Sequence, residues 1–345
     1  MMMKEKMKMK SPISVGVVGA TGVVGETFLR LLESRNFPFG NLRLFASERS
    51  LGQKRRVAGA DYPIEGLKDG CFEGLDIVFF SSGDDISKEW APKAAQAGAY
   101  AIDNSAAFRM SSRHELVVPE VNGSLISETP TIIANPNCST IQLVVALNAL
   151  KSFGLKSVQV ASYQSVSGAG APGQKELADH LRQDLENPEN PIEDGGKTSE
   201  TFGKTPAFNC IPKIGSFNDE GFCSEEVKIV NETKKILELP DLDVSAFTVR
   251  IPSWNSHAEA VWFELESSAT REDLIAALKD QPGLRVIEKI TGFETPRELS
   301  GVNEVSVSRL QKDFYGENRW RMWVVADNLL KGAALNGIQI AEALL

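Results

Sequence analysis

The chain lacks several features that mark whole classes of protein. Its 345 residues contain no apolar run near the roughly 20 residues that cross a bilayer, so no membrane contact is expected. It has four cysteines and three histidines without a CxxC pair or a metal-ligand spacing, which predicts neither a disulfide framework nor a metal site. Acidic residues outnumber basic ones, 46 to 37, without a sustained Lys/Arg run, which argues against nucleic acid as a partner. These absences favour a cytoplasmic globular protein.

The length is sufficient for two domains, each with its own core. Residues 1–12 are rich in Met and Lys but lack the apolar centre of a signal peptide, so we interpret them as a disordered leader. Residues 13–137 are predicted to form a dinucleotide-binding domain, and residues 138–328 a second domain. Residues 329–345 are predicted to be an amphipathic helix that packs back on the first domain.

A glycine-rich turn follows the first predicted strand. Residues 14–18 are apolar, Gly19–Gly25 has the sequence GATGVVG, and residues 27–33 have the apolar spacing of a helix. A strand, a glycine turn and a helix in this order are typical of dinucleotide binding, because glycines let the backbone approach a pyrophosphate at the helix N-terminus. The spacing is GxxGxxG rather than GxGxxG, so a glycine-rich turn without a ligand stays an alternative.

Further apolar segments at residues 42–46, 76–80, 99–102 and 131–134 alternate with helical patterns, which predicts a parallel sheet. Such sheets bind ligands at the carboxyl ends of their strands. The segments that follow these strands therefore point to one site. They are Gly19–Gly25, Ser81–Gly83, residues 104–109 and Asn135–Cys138.

The end of the second strand is the expected place of an adenine ribose. An acid there favours NAD, whereas an arginine accommodates the 2′-phosphate of NADP. Both types are present, as Glu48 and Arg49, and Ser47 and Ser50 flank them. We favour NADP because Arg49 and the two serines could together hold a phosphate.

Cys138 is the strongest candidate for a reactive group. Pro136 disfavours helical geometry before it and Asn137 is a good N-cap, so Cys138 should lie in the first turn of a helix. Unpaired N–H groups and the helix dipole favour a thiolate there, and a thiolate is a nucleophile. The alternative is a structural cysteine.

The second half of the chain predicts a mixed sheet. Its strands are expected at residues 157–162, 244–251, 258–265, 305–310 and 320–325, with 244–251 and 258–265 antiparallel. A charged helix is expected at residues 224–237. Residues 185–204 are rich in Pro, Asn, Asp and Gly, which predicts a long excursion.

Eight segments, in this order, resemble aspartate-β-semialdehyde dehydrogenases along nearly the whole chain: GATGVVG, DNSAAFRM, VVPEVN, NPNCST, YQSVSGAG, EEVK, VRIPSWNSHAE and DNLLKGAALNGIQIAE. The resemblance implies an α/β fold with an N-terminal Rossmann-type domain and an α+β catalytic and dimerisation domain. It also implies a homodimer, possibly a homotetramer. The implied activity is that of an NADP-dependent, phosphorylating aldehyde dehydrogenase in lysine, methionine and threonine biosynthesis. Such an enzyme reduces L-aspartyl-4-phosphate with NADPH to aspartate 4-semialdehyde and phosphate, through a cysteine acyl-thioester.

The resemblance further implies roles for single residues. Cys138 matches the nucleophile, His257 the acid/base histidine and Gln164 a glutamine that orients the substrate. The implied substrate contacts are Arg250 for the carboxylate, Glu225 for the ammonium, Lys228 and Arg109 for the phosphate, and Asn137. The implied cofactor contacts are Gly19, Thr21, Gly22, Val23, Val24, Gly25, Ser47, Arg49, Ser50, Ser81, Ser82, Gly83, Ser167, Gly168 and Asn328.

Some of these residues could instead have purely structural roles, and other functions of the protein also stay open. Glu225 and Lys228 have the i, i+3 spacing of a surface ion pair, and Arg109 could pair with Asp103 or Glu115. An N-acetyl-γ-glutamyl-phosphate reductase would use the same chemistry, but its acylated substrate does not need the charge of Glu225. A non-catalytic NADP-binding Rossmann module would keep the fold without the reaction, and a Cys/His hydrolase would need no cofactor.

Overall fold

The structure is a computed structural model that describes residues 12–186, 189 and 199–345. The predicted leader, apart from Pro12, and most of the predicted excursion between residues 185 and 204 lie outside the described residues. The chain forms two compact units. One comprises the described residues up to Asn137 together with Ala333–Leu345, and the other is Cys138–Gly332. Within the described ranges, no helix combines the length and apolar character needed to cross a membrane.

The first unit is built on an eight-stranded sheet. Its strands are β1 (Ile13–Val18), β2 (Phe39–Phe45), β3 (Lys54–Val57), β4 (Ala60–Glu65), β5 (Ile77–Phe80), β6 (Tyr100–Asp103), β7 (Glu115–Leu116) and β8 (Ile132–Ala134). Its first three helices are α1 (Val23–Ser34), α2 (Asp84–Gln96) and α3 (Pro119–Asn122). The strand order is β3-β4-β2-β1-β5-β6-β8-β7, and every pair except β3–β4 is parallel. The predicted parallel sheet is thus confirmed.

Strand β5 lies inside this sheet, and all four of its residues are buried. Helices cover both faces of a parallel sheet, so a central strand is a continuous apolar run rather than an alternating one. The ring of Phe79 stacks on Phe28 of α1 with 4.6 Å between the ring centroids, while Phe80 packs on the other side against Phe72. These contacts fix α1 and the turn before it on the sheet.

The second unit contains a six-stranded mixed sheet. Its helices are α4 (Cys138–Asn148), α5 (Gly170–Leu185), α6 (Ser224–Leu237) and α7 (Arg271–Asp280). Its strands are β9 (Leu155–Gln164), β10 (Asp243–Arg250), β11 (His257–Leu265), β12 (Leu284–Val286), β13 (Val305–Lys312) and β14 (Arg319–Ala326). The order is β10-β9-β11-β14-β13-β12.

Strands β10 and β11 run in opposite directions, as predicted, but they do not pair with each other. Strand β9 lies between them, parallel to β10 and antiparallel to β11. Only six residues separate β10 from β11, yet a third strand lies between them. The observed arrangement places the ends of three strands beside one another, at Gln164, Arg250 and His257.

The C-terminal segment departs from the predicted single helix over residues 329–345. A π-helical turn, Leu330–Ala334, precedes helix α8 (Leu335–Glu342). The helix is buried on most sides, including the polar residue Asn336, which donates to the carbonyl of Val117 and to Asn135. It is therefore a core helix of the first unit rather than an amphipathic surface helix.

The glycine turn between β1 and α1 needs glycine for steric reasons. Gly19 has a φ of 81°, in the left-handed region, and a Cβ there would lie 2.9 Å from the Ser81 carbonyl oxygen. A Cβ on Gly25 would lie 2.1 Å from the carbonyl oxygen of Gly19. The N-cap of helix α1 is Gly22, which has no side chain that could accept a hydrogen bond. The N–H groups of the first turn of α1 therefore receive no side-chain cap from this position.

We expect Gly25→Ala to destabilise the protein by about 1–3 kcal/mol, because the added methyl forces α1 away from the turn. The matched control is Gly83→Ala, where no atom lies within 4 Å of an added Cβ. Urea unfolding of both variants and the parent measures the difference. Equal midpoints for the two variants would contradict the steric explanation.

Candidate active site

The ends of three strands and the start of one helix place the predicted catalytic residues in the second unit. Strand β9 ends at Gln164, β10 ends at Arg250, β11 begins at His257 and α4 begins at Cys138. Arg250 pairs with Gln164 across the two parallel strands. Ala258 pairs with Tyr163, which places His257 next to Gln164 on the other side. The prediction that Cys138 lies in the first turn of a helix is confirmed.

The imidazole of His257 is fully buried and held at one nitrogen. The backbone N–H of Ser165 donates to Nδ1 at 3.1 Å, and the Ser165 hydroxyl lies at 3.1 Å from the same atom. Because Nδ1 accepts from a backbone donor, the neutral ring carries its hydrogen on Nε2. Among the described residues, Nε2 has no hydrogen-bond partner. The site thus holds a buried N–H donor that is available to a ligand.

Burial lowers the pKa of His257 from 6.5 to about 3, and the positive charge of Arg250 acts in the same direction. The ring is therefore uncharged at neutral pH. A neutral imidazole in this tautomer donates one hydrogen bond from Nε2 without adding a positive charge to the site.

Arg250 is the second buried donor. Its side chain is 6% exposed, and Nη1 donates to the Ser165 carbonyl while the guanidinium lies 5.6 Å from the Phe202 ring centroid. Its Nε has no partner among the described residues. Burial lowers the pKa of Arg250, and the opposing negative charges of Glu225 and Cys138 act to raise it. This electrostatic interaction indicates that the guanidinium lies near Cys138.

Glu225 supplies the acid of this site. Its side chain is buried, and the Gln164 amide donates to Oε1 at 3.3 Å. The ammonium of Lys228 lies 3.6 Å from Oε2, so the i, i+3 ion pair considered above does form. It is not a pair on a solvated face, however, because Gln164 and the charge of Arg250 also face Glu225.

Two glycines closely line the reactive groups. A Cβ on Gly168 would lie 3.0 Å from Arg250 Nη1 and 3.5 Å from His257 Nε2, and Gly168 itself is exposed. A Cβ on Gly332 would lie 3.0 Å from the Cβ of Cys138. The backbone at Gly168 therefore lies close to the two donors, while the π-helical turn at Gly332 packs on the half-buried cysteine.

In the first unit, a cavity of about 910 Å³ lies at the carboxyl ends of the strands. Glu48, Leu51 and Trp90 line it together with part of the predicted cofactor set. The predicted cofactor residues in the lining are Gly19, Thr21, Gly22, Ser47, Ser81 and Ser82. Of the others, Val23, Val24 and Gly25 form the first turn of α1, Arg49 and Ser50 lie in the short helix Glu48–Ser50, and Gly83 is the N-cap of α2. The bare glycine turn and the open helix N-terminus fit a dinucleotide.

Arg109 and Asn137 also lie in the first unit, and both are buried. Arg109 donates from Nε to the Asn135 carbonyl at 2.9 Å and from Nη2 to the Asn104 carbonyl at 2.8 Å. It thereby ties together the segments that follow β6 and β8. Its charge also acts on Asp103, one of the two partners considered above.

Ser167 and Asn328, which were predicted as cofactor contacts, form part of the support of His257. The Oδ1 atom of Asn328 accepts from the Ser165 hydroxyl, the Ser167 hydroxyl and the Ser256 backbone N–H at 3.2, 3.1 and 2.8 Å. Sequence reasoning missed Ser165 as the partner of His257, although it lies within the YQSVSGAG segment. It also missed Phe202 and Gly332, whose contacts depend on the tertiary fold.

The family description "Semialdehyde dehydrogenase, NAD binding domain" matches residues 14–129, and "Semialdehyde dehydrogenase, dimerisation domain" matches residues 147–331. The aspartate-semialdehyde dehydrogenase of Bacillus subtilis (strain 168) is 44% identical over 336 residues, which cover 96% of this chain and 97% of the relative.

Two solved structures are similar over almost their whole length. That of aspartate semialdehyde dehydrogenase II from Vibrio cholerae, complexed with ASA, has a TM-score of 0.91 and 41% identity, covering 97% of this chain and 98% of the other. That of aspartate semialdehyde dehydrogenase with NADP from Candida albicans has a TM-score of 0.74 and 25% identity, covering 96% and 98%.

The buried His257 generates a prediction about stability and pH. The unfolded ring binds a proton below about pH 6.5, whereas the folded ring does so only near a pKa of about 3, so the folded state loses stability as pH falls between these values. From about pH 6.5 to about pH 5 the loss is about 2 kcal/mol, at roughly 1.4 kcal/mol per pH unit.

His257→Gln removes the titrating imidazole, so the variant should not show this loss of stability at low pH. The difference in unfolding free energy between parent and variant should therefore be smaller at about pH 5 than at about pH 7, by about 2 kcal/mol. Urea unfolding at both pH values measures the gap, and His114→Gln at a half-buried site serves as the control. A gap that does not change with pH would show that the folded imidazole titrates normally.

Proposed function

The chain belongs to the aspartate-semialdehyde dehydrogenase family, and from this premise we propose that Cys138 is the nucleophile of that reaction, with His257 and Arg250 beside it. The activity is the NADPH-dependent conversion of L-aspartyl-4-phosphate to aspartate 4-semialdehyde and phosphate. The observation that carries the assignment of residues is the pair of buried N–H donors, His257 Nε2 and Arg250 Nε. Both lack a partner among the described residues, and Arg250 interacts electrostatically with both Cys138 and His257.

The charges of the site match those of the substrate. Arg250 binds the α-carboxylate, because the planar guanidinium matches the geometry of a carboxylate. Its buried Nε–H has no partner among the described residues, so it can donate to a ligand. Glu225 receives the α-ammonium, and Lys228 faces the phosphate. A free ammonium needs this buried acid, which favours the aspartyl substrate over an N-acetylated one. Arg109 and Asn137 stay predictions for phosphate and substrate contact.

The chemistry begins at the sulfur of Cys138. The thiolate attacks the acyl carbon, a C–S bond forms, and the C–O bond to phosphate breaks with its electron pair leaving on phosphate. Helix α4 begins at Cys138, so its N-terminal dipole and the charge of Arg250 both favour the thiolate. The product of this step is an acyl-thioester on Cys138.

His257 acts on the carbonyl oxygen of the bound acyl group. Its Nε2–H donates a hydrogen bond as negative charge develops there, which is the role of an oxyanion-hole donor. The tautomer inferred from the Ser165 hydrogen bond to Nδ1 places the hydrogen on Nε2, which favours this donor role in the neutral ring. The neutral ring also adds no positive charge to that of Arg250.

The cofactor is NADP, whose reduced form, NADPH, would supply the hydride when bound. The glycine turn, the α1 N-terminus and the cavity of about 910 Å³ are the groups of the first unit that would hold it. Arg49 is exposed and follows the cavity residues Ser47 and Glu48, so we propose that it binds the 2′-phosphate. Gly168, and the amide nitrogen of Asn328, stay proposals for further contacts. We also propose that the enzyme works in the cytoplasm, as its biosynthetic role implies.

Cys138→Ser should lower the rate of NADPH formation from aspartate semialdehyde and phosphate by at least about a thousandfold, because the covalent nucleophile is lost. The control is Cys210→Ser, at an exposed cysteine that should leave the rate unchanged. A Cys138→Ser variant that kept the parent rate would refute the assignment. Faster turnover of N-acetyl-glutamate semialdehyde than of aspartate semialdehyde would refute the substrate.

We further propose that two copies associate through the outer face of the six-stranded sheet. Helix α4 packs on the inner face, where β9 and β11 bury alternate residues. The outer face carries the half-buried rings of Tyr163, Trp262 and Trp323, which line a shallow cavity of about 270 Å³. Large aromatic side chains on a solvated face are typical of a protein interface. The association of two dimers into a tetramer stays a prediction.

Trp262→Glu should dissociate the dimer, because it places a charge among the interface rings. Light scattering should then give the mass of one chain, 37.6 kDa, instead of twice that value. Leu125→Glu, which changes an exposed leucine of the first unit in the same way, should stay dimeric. A parent protein that already has the mass of one chain at micromolar concentration would refute the interface.

A further inference from the structure

Glu259 is a buried acid that the proposed reaction does not use. Its side chain is 0% exposed, and neither carboxyl oxygen has a hydrogen-bond partner among the described residues. Burying a polar group without a partner is costly, so a group of this kind needs a structural or chemical reason. Its position suggests what that reason is.

Glu259 lies directly beneath the catalytic row of the sheet. It follows His257 by two residues on β11, so both side chains point to the same face. Across the sheet it pairs with Ser162, which precedes Gln164 by two residues on β9. The Gln164 amide donates to the Ser162 hydroxyl at 3.3 Å. The Glu259 carboxyl is therefore next to His257 and Gln164 on the same face of the sheet, and these are two residues of the proposed active site.

The side chain that faces Glu259 belongs to the helix of the nucleophile. Gln142 lies four residues after Cys138 on α4, and the carboxyl of Glu259 interacts with its amide. The two groups face each other without a complete hydrogen bond, since both amide atoms and both carboxyl oxygens lack a partner of suitable geometry in the described structure. A small movement of either side chain would close the pair.

The rise along α4 from Cys138 to Gln142 is nearly equal to the rise along β11 from His257 to Glu259. Four residues of helix rise about 6 Å, and two residues of strand rise about 6.7 Å. Helix α4 begins at Cys138 and β11 begins at His257, so Gln142 and Glu259 are each one step away from their reactive neighbour. A contact between Gln142 and Glu259 thus sets the spacing of helix and strand where Cys138 and His257 begin.

Complete burial raises the pKa of Glu259 well above its ordinary value, and Gln142 opposes this only in part. The group is then a carboxylic acid with one O–H donor and one carbonyl acceptor. These match the carbonyl and the NH₂ group of a glutamine side chain, so the pair can be satisfied from both sides.

We propose that Glu259 is a positioning residue, an uncharged acid that holds the Cys138 helix against the His257 strand through Gln142. The proposal rests on the proposed function for the roles of Cys138 and His257. The proposal requires a hydrogen-bonding pair at positions 142 and 259, but it requires no negative charge. It also does not depend on which of the two positions holds the acid and which holds the amide.

The test compares variants of the full-length protein by kcat, KM, thermal midpoint and the rate of Cys138 alkylation by iodoacetamide. Glu259→Gln keeps an uncharged pair, so kcat should stay within about threefold of the parent. Glu259→Leu removes it, and kcat should fall by about ten- to a hundredfold with little change in KM, as expected when reacting groups are displaced but Arg250 still binds substrate. The alkylation rate should change in the same variant.

The decisive variant exchanges the two residues. Gln142→Glu alone places two acids together and should lower kcat, whereas Gln142→Glu combined with Glu259→Gln should restore it to within about threefold. Val261→Ala, the next position on the same strand face, should lower the thermal midpoint but not kcat. This control separates positioning from stability, and the exchange still gives an answer if Glu259→Leu does not fold.

Three outcomes would overturn the proposal. They are a parent-like kcat and alkylation rate in folded Glu259→Leu, a Glu259→Gln loss as large as that of Glu259→Leu, or an exchange variant no better than Gln142→Glu. None of these affects the proposed function, which fails only if Cys138→Ser remains active. The two failures are therefore distinguishable.

Discussion

An imidazole and a guanidinium buried side by side are the constraint on which the site depends. His257 is fully buried, and the charge of Arg250 adds to burial in lowering its pKa, so the pair can coexist only with the ring uncharged. Because the Ser165 N–H donates to Nδ1, the neutral ring carries its hydrogen on Nε2, and Arg250 is the buried cation of the site. The negative charge of Glu225 then offsets part of the cost of burying the guanidinium.

A single amide oxygen holds this arrangement in place. Asn328 Oδ1 accepts three hydrogen bonds, and two of its donors, Ser165 and Ser256, are also next to or in contact with His257. An oxygen with three donors around it fixes the orientation of the whole amide. Any contact of Asn328 with the cofactor would therefore use its NH₂ group. A shift of this amide would move the imidazole and the Ser165 carbonyl that holds Arg250.

The sequence was sufficient for the parts of the fold that depend on local pattern. The buried strand of residues 77–80 and the helix that begins at Cys138 follow from apolar runs and from turn residues, which act over a few positions. Strands β3 and β4 were missed because their charged and proline-containing sequences lie at a sheet edge, where little is buried. The insertion of β9 between β10 and β11 was missed because pairing between distant segments leaves no local signal.

For the site, motif resemblance located the chemical groups but not their partners. Glu225 and Arg250 could be identified from EEVK and VRIP, yet their contact with Gln164 and the Phe202 ring depends on the tertiary fold. The charge state of His257 was also beyond reach, because complete burial is a property of the packed structure. The acid/base role that the resemblance implies for His257 stays a prediction, and what the packing adds is that burial keeps the ring neutral.

The turn before His257 is held in a strained conformation by the hydrogen bonds of two polar residues. Ser256 has a φ of 66°, a left-handed conformation that costs a non-glycine residue roughly 1–3 kcal/mol unless its surroundings enforce it. Here they do, since the Ser256 N–H donates to Asn328 and the Asn255 amide donates to Asp327 and Ser300 at 3.0 and 2.9 Å. The exposed Trp254 takes no part in these bonds. The strained residue turns the chain sharply into β11, so the first residue of that strand can carry the imidazole into the buried site. The two hydrogen bonds of Asn255 thus help to hold the turn that positions His257.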